Sequence, residues 1–329
     1  MTKNDEHCRI AVVGCGALGQ FYAAQLSHAG HDLRLLARRD AARLEQRGIV
    51  VQQSPTEKVR SSLEWPRLHI EPQRLIVATE PRQLVVDAYP DWVLVAIKTT
   101  ALDQAEALVA TLLGEHTNVV VMCNGLGVED RFAEWFGSER IFGLLCFVGV
   151  HREEDGLLRH LAFGHVAAGH FLDDAAARDR LRRLFEQAGI MCECPPSLLE
   201  ARWRKLVWNV PFNGLCVLYD SGTNAIVQNP ERRAFASAIA REIVTLGNLD
   251  LKQHGLETQI EGEWANLQLE RTDTMDDYAP STLLDARAGR ALEIDMMFLE
   301  PARRARRLGA ESPALDRLIQ GLRERGFVN

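Results

Sequence analysis

Lys205, Asn209 and Asn213 stand four residues apart within Glu200–Leu218, EARWRKLVWNVPFNGLCVL. On a helix that spacing lines a cation and two carboxamides along one face. Set among Leu, Val, Trp and Phe, the stripe offers what a carbonyl compound needs during reduction. An ammonium can polarise and protonate the oxygen, and amides can hold a carboxylate or hydroxyls. The plainer alternative is an amphipathic helix with a wet polar edge. Pro211 interrupts the stripe; it deletes one helical hydrogen bond and predicts a kink between the two asparagines.

A second set of chemistry-bearing residues lies near the start. The apolar run Ile10-Ala11-Val12-Val13 leads into Gly14-Cys15-Gly16-Ala17-Leu18-Gly19, a G-x-G-x-x-G where a strand would turn into a helix. Gly14 allows the tight turn, Gly16 lets backbone approach a pyrophosphate, and Gly19 lets helix and strand pack closely. The following helix, Phe21–Ala29, would aim its N-terminal amides at that pyrophosphate. Gly30 stops it, and a second strand follows at Asp32–Ala37. This context favours a dinucleotide site over a plain glycine turn. After the second strand, where an NAD site usually carries Asp or Glu, stand Arg38 and Arg39. Guanidiniums suit a 2′-phosphate, which favours NADP(H) over the alternative of ordinary surface charge.

The elements that must position these residues alternate between strand and helix. Gly48–Gln52 and Leu68–Thr79 suggest short strands; Trp92–Ile97, Ala101–Leu113 and Asn118–Met122 read strand, helix, strand. Ligands in such sheets lie beyond the carboxyl ends of strands, so Lys98 and Asn124 are placed to face one. The alternatives are a loop lysine and a turn residue. Ile141–His151 and Leu157–Ala168 read as paired strands around Asp155-Gly156. His160, His165 and His170 would alternate faces there, which predicts surface histidines rather than a metal site. A helix at Ala175–Ala188 and a strand-like Ile190–Glu193 precede Pro195-Pro196, which reads as a boundary. The domains are expected at 1–196 (α/β) and 197–329 (all-α).

The last large helix is expected to start near Pro280-Ser281-Thr282, with Thr282 and Asp285 forming a capping box. Ser281 would lie just outside it and Glu293 about three turns inside. A bend is expected at Pro301 and a stop at Gly309. Arg303, Arg304, Arg306 and Arg307 read as a solvated face near a helix C-terminus.

Composition narrows the class. A chain of 329 residues with net charge −7 and pI near 5.8 argues against nucleic acid or an anionic membrane as partner. No apolar run reaches membrane-spanning length, and the opening MTKNDEHCRI lacks a leader's hydrophobic region, so a cytoplasmic location is expected. Seven scattered cysteines read as reduced thiols, and Cys192-Glu-Cys194 lacks metal or redox spacing. No metal is expected.

With GCGALG, VAIK, CNGLG, WRKLVWNVPFN and STLLDARAGRALEID in this order, the chain resembles the ketopantoate reductase (2-dehydropantoate 2-reductase) family over nearly its whole length. The resemblance implies an N-terminal Rossmann domain and an all-α C-terminal domain in the 6-phosphogluconate-dehydrogenase-like arrangement, with the active site between them. It implies NADPH-dependent reduction of ketopantoate to (R)-pantoate, on the route to pantothenate and coenzyme A. Residue by residue, Gly14, Cys15, Gly16, Ala17, Leu18, Gly19 and Arg38 match the NADP phosphate sites. Lys98, Asn124 and the Gly149 backbone match positions near ribose and nicotinamide. Lys205 matches the general acid, and Asn209, Asn213 and Ser281 match substrate-binding positions. Glu293 matches the acidic residue at the cofactor–substrate junction. A homodimer is possible by the same analogy.

The chain departs from the family pattern Asn-Pro-Leu-Thr-Ala, reading Asn213-Gly214-Leu215-Cys216-Val217, and Pro211 is atypical. The later substrate asparagine aligns only approximately, near Thr223-Asn224. These departures are expected on the substrate side, where they bear on which 2-oxo acid is reduced. Another branched 2-oxo acid is therefore the alternative substrate. Glu200–Arg204 lacks the glycine-rich turn of the 3-hydroxyisobutyrate dehydrogenase type. A non-catalytic NADPH-binding sensor has no need to keep Lys205, Asn209, Ser281 and Glu293 together.

Overall fold

Mostly apolar strands build one sheet in the computed structural model, which describes residues 7–54 and 66–328. The opening stretch read for a leader lies largely outside them. The strands are β1 (Arg9–Val13), β2 (Asp32–Leu36), β3 (Ile49–Gln53), β4 (Arg67–Ile70), β5 (Leu75–Ala78), β6 (Trp92–Val95), β7 (Asn118–Val121), β8 (Ile141–Arg152), β9 (Leu158–His170) and β10 (Cys192–Glu193). Their order is β4-β3-β9-β8-β7-β6-β1-β2-β5, with β10 pairing β9. From β8 to β5 all neighbours are parallel. That run is the doubly wound order of a dinucleotide-binding sheet, reversing direction between β1 and β6. Parallel strands covered on both faces are mainly apolar, and β6 and most of β1 and β7 are buried; Arg34 of β2 is the buried exception, paired with Asp32 and Asp87.

β8 and β9 form a long antiparallel hairpin whose register shifts around Phe147–Val148 and Gly149–Val150. β9 is not an edge: it also pairs β3 and β10. This overturns the expectation of surface histidines. His160 and His170 are 0% and 3% exposed, with Nε2 bonded to the carbonyls of Phe163 (2.8 Å) and Glu139 (3.0 Å). His165 stacks on Phe147 with centroids 4.8 Å apart. Among the described residues no cluster of His, Cys, Asp and Glu could hold a metal.

The chain divides into two compact units, Met1–Cys123 with Glu129–Leu198 and Asn124–Val128 with Leu199–Asn329. The second is helical: Leu198–Leu218 enters it, followed by Pro230–Gln253, Glu263–Asp273, Ser281–Arg287, Glu300–Arg307 and Pro313–Glu324, among shorter turns. Trp203, Val207, Phe212, Ile239, Ile243 and Leu315 lie in its core. No described helix is long and apolar enough to cross a membrane.

Two expectations fail in this unit. The helix from Ser281 ends at Arg287, because Gly289 (φ 62°) takes the left-handed conformation and closes a Schellman cap. Gly289 N–H donates to Ala286 and Arg290 N–H to the Asp285 carbonyl. Pro280 occupies the N-cap, so Thr282 and Asp285 form no capping box; both are buried, and Asp285 pairs with Arg290 at 2.8 Å. Ser281 is thus the first helical residue, and Glu293 lies beyond the helix, before a π-turn at Asp295–Leu299.

The arginine face is likewise not simply solvated. Arg304 is buried, donating to Asp250 (2.7 Å) and Glu300 (3.1 Å), and Asp250 also accepts the Trp203 indole N–H at 2.8 Å. Arg303 and Arg307 add bonds to Glu300, each 2.8 Å. Burial opposes ionisation of Glu300, but these three guanidiniums prevail and hold its carboxyl below the ordinary range. A carboxylate beneath the helix needs a cation, and the helix supplies one from its inner face.

Candidate active site

In the first unit, β1 and β6 come together at the reversal of strand order. Gly14 has φ 103°, and a Cβ there would lie 2.6 Å from the Ala96 carbonyl carbon, so only glycine lets the two strand ends approach. A Cβ at Gly19 would collide with the Gly14 carbonyl. Gly16 is different: a Cβ would meet nothing within 4 Å, which leaves its face open. The residue caps the helix Ala17–His28 without a side-chain bond, so Ala17 and Leu18 present first-turn amides to a phosphate group. Cys15 points the other way, its thiol donating to the Leu36 carbonyl at 3.3 Å and pushed up to about 12 by burial. This thiol is structural, not reactive.

Three further positions border this loop or its sheet. Arg38, two residues past β2, is exposed, and its guanidinium is held by Gln104 Oε1 at 2.9 Å. Gln104 carries no signal in the sequence, since glutamine on a helix surface is common. Lys98 follows β6 and caps the turn Thr99–Ala101. Gly149 is buried opposite Ala162 in the β8–β9 ladder, where a Cβ would come within 3.3 Å of the Ala162 nitrogen.

In the second unit, the helix Leu198–Leu218 runs unbroken through Pro211 and carries Lys205, Asn209 and Asn213. Lys205 Nζ donates to Asn124 Oδ1 at 3.1 Å. Asn209 and Asn213 are 8% and 6% exposed, and neither carboxamide has a hydrogen-bond partner among the described residues. Neither contributes a sealed, unpartnered polar atom, so each amide keeps an accessible edge on this helix face that a polar ligand could take.

A contact that sequence reading missed ties Asn124 to the Glu293 segment. Leu126 N–H donates to the Met296 carbonyl at 2.9 Å, and a Cβ on Gly125 would lie 2.6 Å from Met296 Cβ. Gly125 and Gly127 both have positive φ, 102° and 78°. The loop after Asn124 is therefore clamped against the π-turn that starts two residues past Glu293. Glu293 is half-buried and Ser281 is exposed at its helix start. The glycine pair was a readable signal for a close approach; its partner Met296 was not.

Comparison with known proteins extends this picture to the whole chain. Residues 10–173 match the family described as Ketopantoate reductase PanE/ApbA, and residues 197–326 match Ketopantoate reductase PanE/ApbA C terminal. A 2-dehydropantoate 2-reductase from Nostoc sp. is 29% identical over 96% of this chain and 94% of its own length. A crystal structure of 2-dehydropantoate 2-reductase from Geobacter metallireducens is 34% identical, with a TM-score of 0.87 over 96% of this chain and 99% of the other. The chain belongs to the ketopantoate reductase family. The fold is also that of a protein with another name: D-mandelate dehydrogenase, in a ternary structure with NADH and anilino(oxo)acetate, matches at 16% identity with a TM-score of 0.81 over 96% of this chain and 97% of the other. Membership rests on the sequence matches to both units.

Proposed function

We propose that this ketopantoate reductase family member is an NADPH-dependent 2-dehydropantoate 2-reductase, converting the ketone of 2-dehydropantoate to the alcohol of pantoate. The observation that carries the reading is Lys205, held on Asn124 at 3.1 Å, on the helix face that also carries the carboxamides of Asn209 and Asn213. The glycine cradle fits a dinucleotide: Gly16 is open where a pyrophosphate would approach, and Arg38 supplies a cation beyond β2. In this reading Lys98, Asn124 and Gly149 border the ribose and nicotinamide. When bound, the reduced nicotinamide supplies the hydride that reaches the ketone carbon.

The remaining work falls to side chains of this chain. Negative charge grows on the carbonyl oxygen, and the Lys205 ammonium stabilises it and then donates its proton. Asn124 holds Lys205 in place by accepting from it. Asn209, Asn213 and Ser281 bind the carboxylate and hydroxyl of the substrate, and Glu293 orients the hydroxyl beside the reacting carbon.

The test is the loss of NADPH absorbance on mixing the purified protein with 2-dehydropantoate and a panel of other branched 2-oxo acids. Highest kcat/KM for 2-dehydropantoate is expected. A different winner would transfer the same chemistry to another 2-oxo acid. No oxidation with any of them would defeat the enzymatic reading.

A further inference from the structure

Two residues past Arg38, Asp40 opens the helix Ala41–Arg47. A carboxylate just beyond the second strand is the group that selects a free ribose 2′-hydroxyl, and its charge repels a 2′-phosphate. Here the carboxylate is occupied. Arg152, the last residue of β8, forms an ion pair with Asp40 Oδ2, and Arg43 Nε lies 3.9 Å from Oδ1.

Both arginines also reach the glycine loop. Arg152 donates to the Cys15 carbonyl at 3.4 Å. Arg43 donates to Gln20 Oε1 at 2.8 Å, and the Gln20 amide donates to that same carbonyl at 2.6 Å. Since the Cys15 thiol bonds the Leu36 carbonyl, the cluster sits where the glycine loop meets the end of β2. Arg43 is further confined by the hairpin turn, where a Cβ on Gly156 would collide with its guanidinium. One carboxylate thus faces two guanidiniums fixed from different elements.

We propose that Arg152, assisted by Arg43, is a specificity-determining positioning residue that neutralises Asp40 and so permits a 2′-phosphate beside Arg38. The proposal rests on the NADPH reading above. It assigns Arg152 no contact with the phosphate itself: its effect runs through Asp40. Removing Arg152 exposes a carboxylate that disfavours NADPH and accepts bonds from the ribose hydroxyls of NADH.

The experiment measures Kd for NADPH and NADH by fluorescence titration on the full chain, for wild type, Arg152→Gln, Asp40→Asn and the double variant. Arg152→Gln is expected to reduce the NADPH-over-NADH preference about tenfold, the scale of one uncompensated charge nearby at a protein surface. Asp40→Asn should keep the preference at or above that of wild type, and the double variant should recover it. An unchanged preference in Arg152→Gln, a fall in Asp40→Asn, or a fall that persists in the double variant would each overturn the proposal. The last result would make Arg152 a direct phosphate ligand. Equal affinity of the wild type for both cofactors would instead defeat the NADPH reading, and this inference with it.

Discussion

Replacing Lys205 by alanine removes the one ammonium on the helix face that carries Asn209 and Asn213. The side chain is half-buried and held by a 3.1 Å bond to Asn124, so its position is fixed before substrate arrives. General-acid assistance is typically worth about 10²–10⁴ in rate. Lys205→Ala should therefore lower kcat at least about 10²-fold while NADPH still binds. Asn124→Ala keeps the acid but removes this bond. A hydrogen bond to a charged group contributes about 1.5–3 kcal/mol, which bounds that loss at roughly 10–10²-fold in rate. Lys205→Arg should rescue poorly, because a guanidinium keeps the charge but is too weak an acid to release a proton. Single-turnover NADPH oxidation with 2-dehydropantoate, on variants shown to be folded by circular dichroism, separates these cases. If Lys205→Ala reacts within a few-fold of wild type, Lys205 is not the acid, and Lys98 is the next group to replace.

Arg38→Ala should weaken NADPH far more than NADH, by about 1.5–3 kcal/mol if its guanidinium bonds the phosphate; equal weakening in titrations with both cofactors would remove Arg38 from that role. Asn209→Ala and Asn213→Ala should each raise the substrate KM and leave NADPH affinity nearly unchanged; steady-state kinetics with a parallel NADPH titration checks this, and a matching fall in NADPH affinity would contradict it. Burial holds the His160 imidazole below its ordinary pKa, although bonds to the backbone of Phe163 and Ala162 act the other way. The unfolded chain then binds a proton near pH ~6.5 that the folded chain takes up only at lower pH, so stability falls as pH drops through that window. Melting temperatures between pH 8 and 5 should fall less steeply for His160→Gln than for wild type, and parallel slopes would refute the assignment.

The parallel half of the sheet was legible because its strands are buried on both faces, which forces unbroken apolar runs such as those of β1 and β6. The helix stripe was legible for a similar reason: a period of four shows wherever it falls. What local periodicity could not supply was the identity of distant partners. Nothing near His160 says that β3 will cover the outer edge of β9. Nothing in the run of arginines says that one of them answers Asp250, 54 residues away. Gly289 carries a readable stop signal that the expected long helix passed over, and the expected capping box fails because Pro280 occupies the N-cap. In the candidate site, residue types were readable and couplings were not. Lys205 and Asn124 are 81 positions apart, and the Gly125 contact with Met296 spans still more chain.

Two of the departures on the Lys205 helix, at Gly214 and Pro211, can be sorted by direction. A Cβ on Gly214 would come within 2.6 Å of Leu318 Cδ2, so this glycine admits the helix Pro313–Glu324 and serves packing, not substrate. Pro211 stands two residues from each asparagine, about 200° around the helix from their stripe. Its ring is buried on the opposite side, and its missing N–H leaves the Val207 carbonyl without a helical donor. Neither departure reaches the carboxamides. Pro211→Ala should therefore leave the ranking of 2-oxo acids by kcat/KM as in wild type. Stability should change by no more than about 3 kcal/mol, the helix-interior cost of proline, offset in part by lost packing. The same panel used to identify the substrate, run beside a thermal melt, decides the matter. A changed ranking would mean that Pro211 shapes the substrate wall through the backbone, and the choice of 2-oxo acid would then be set from behind the stripe.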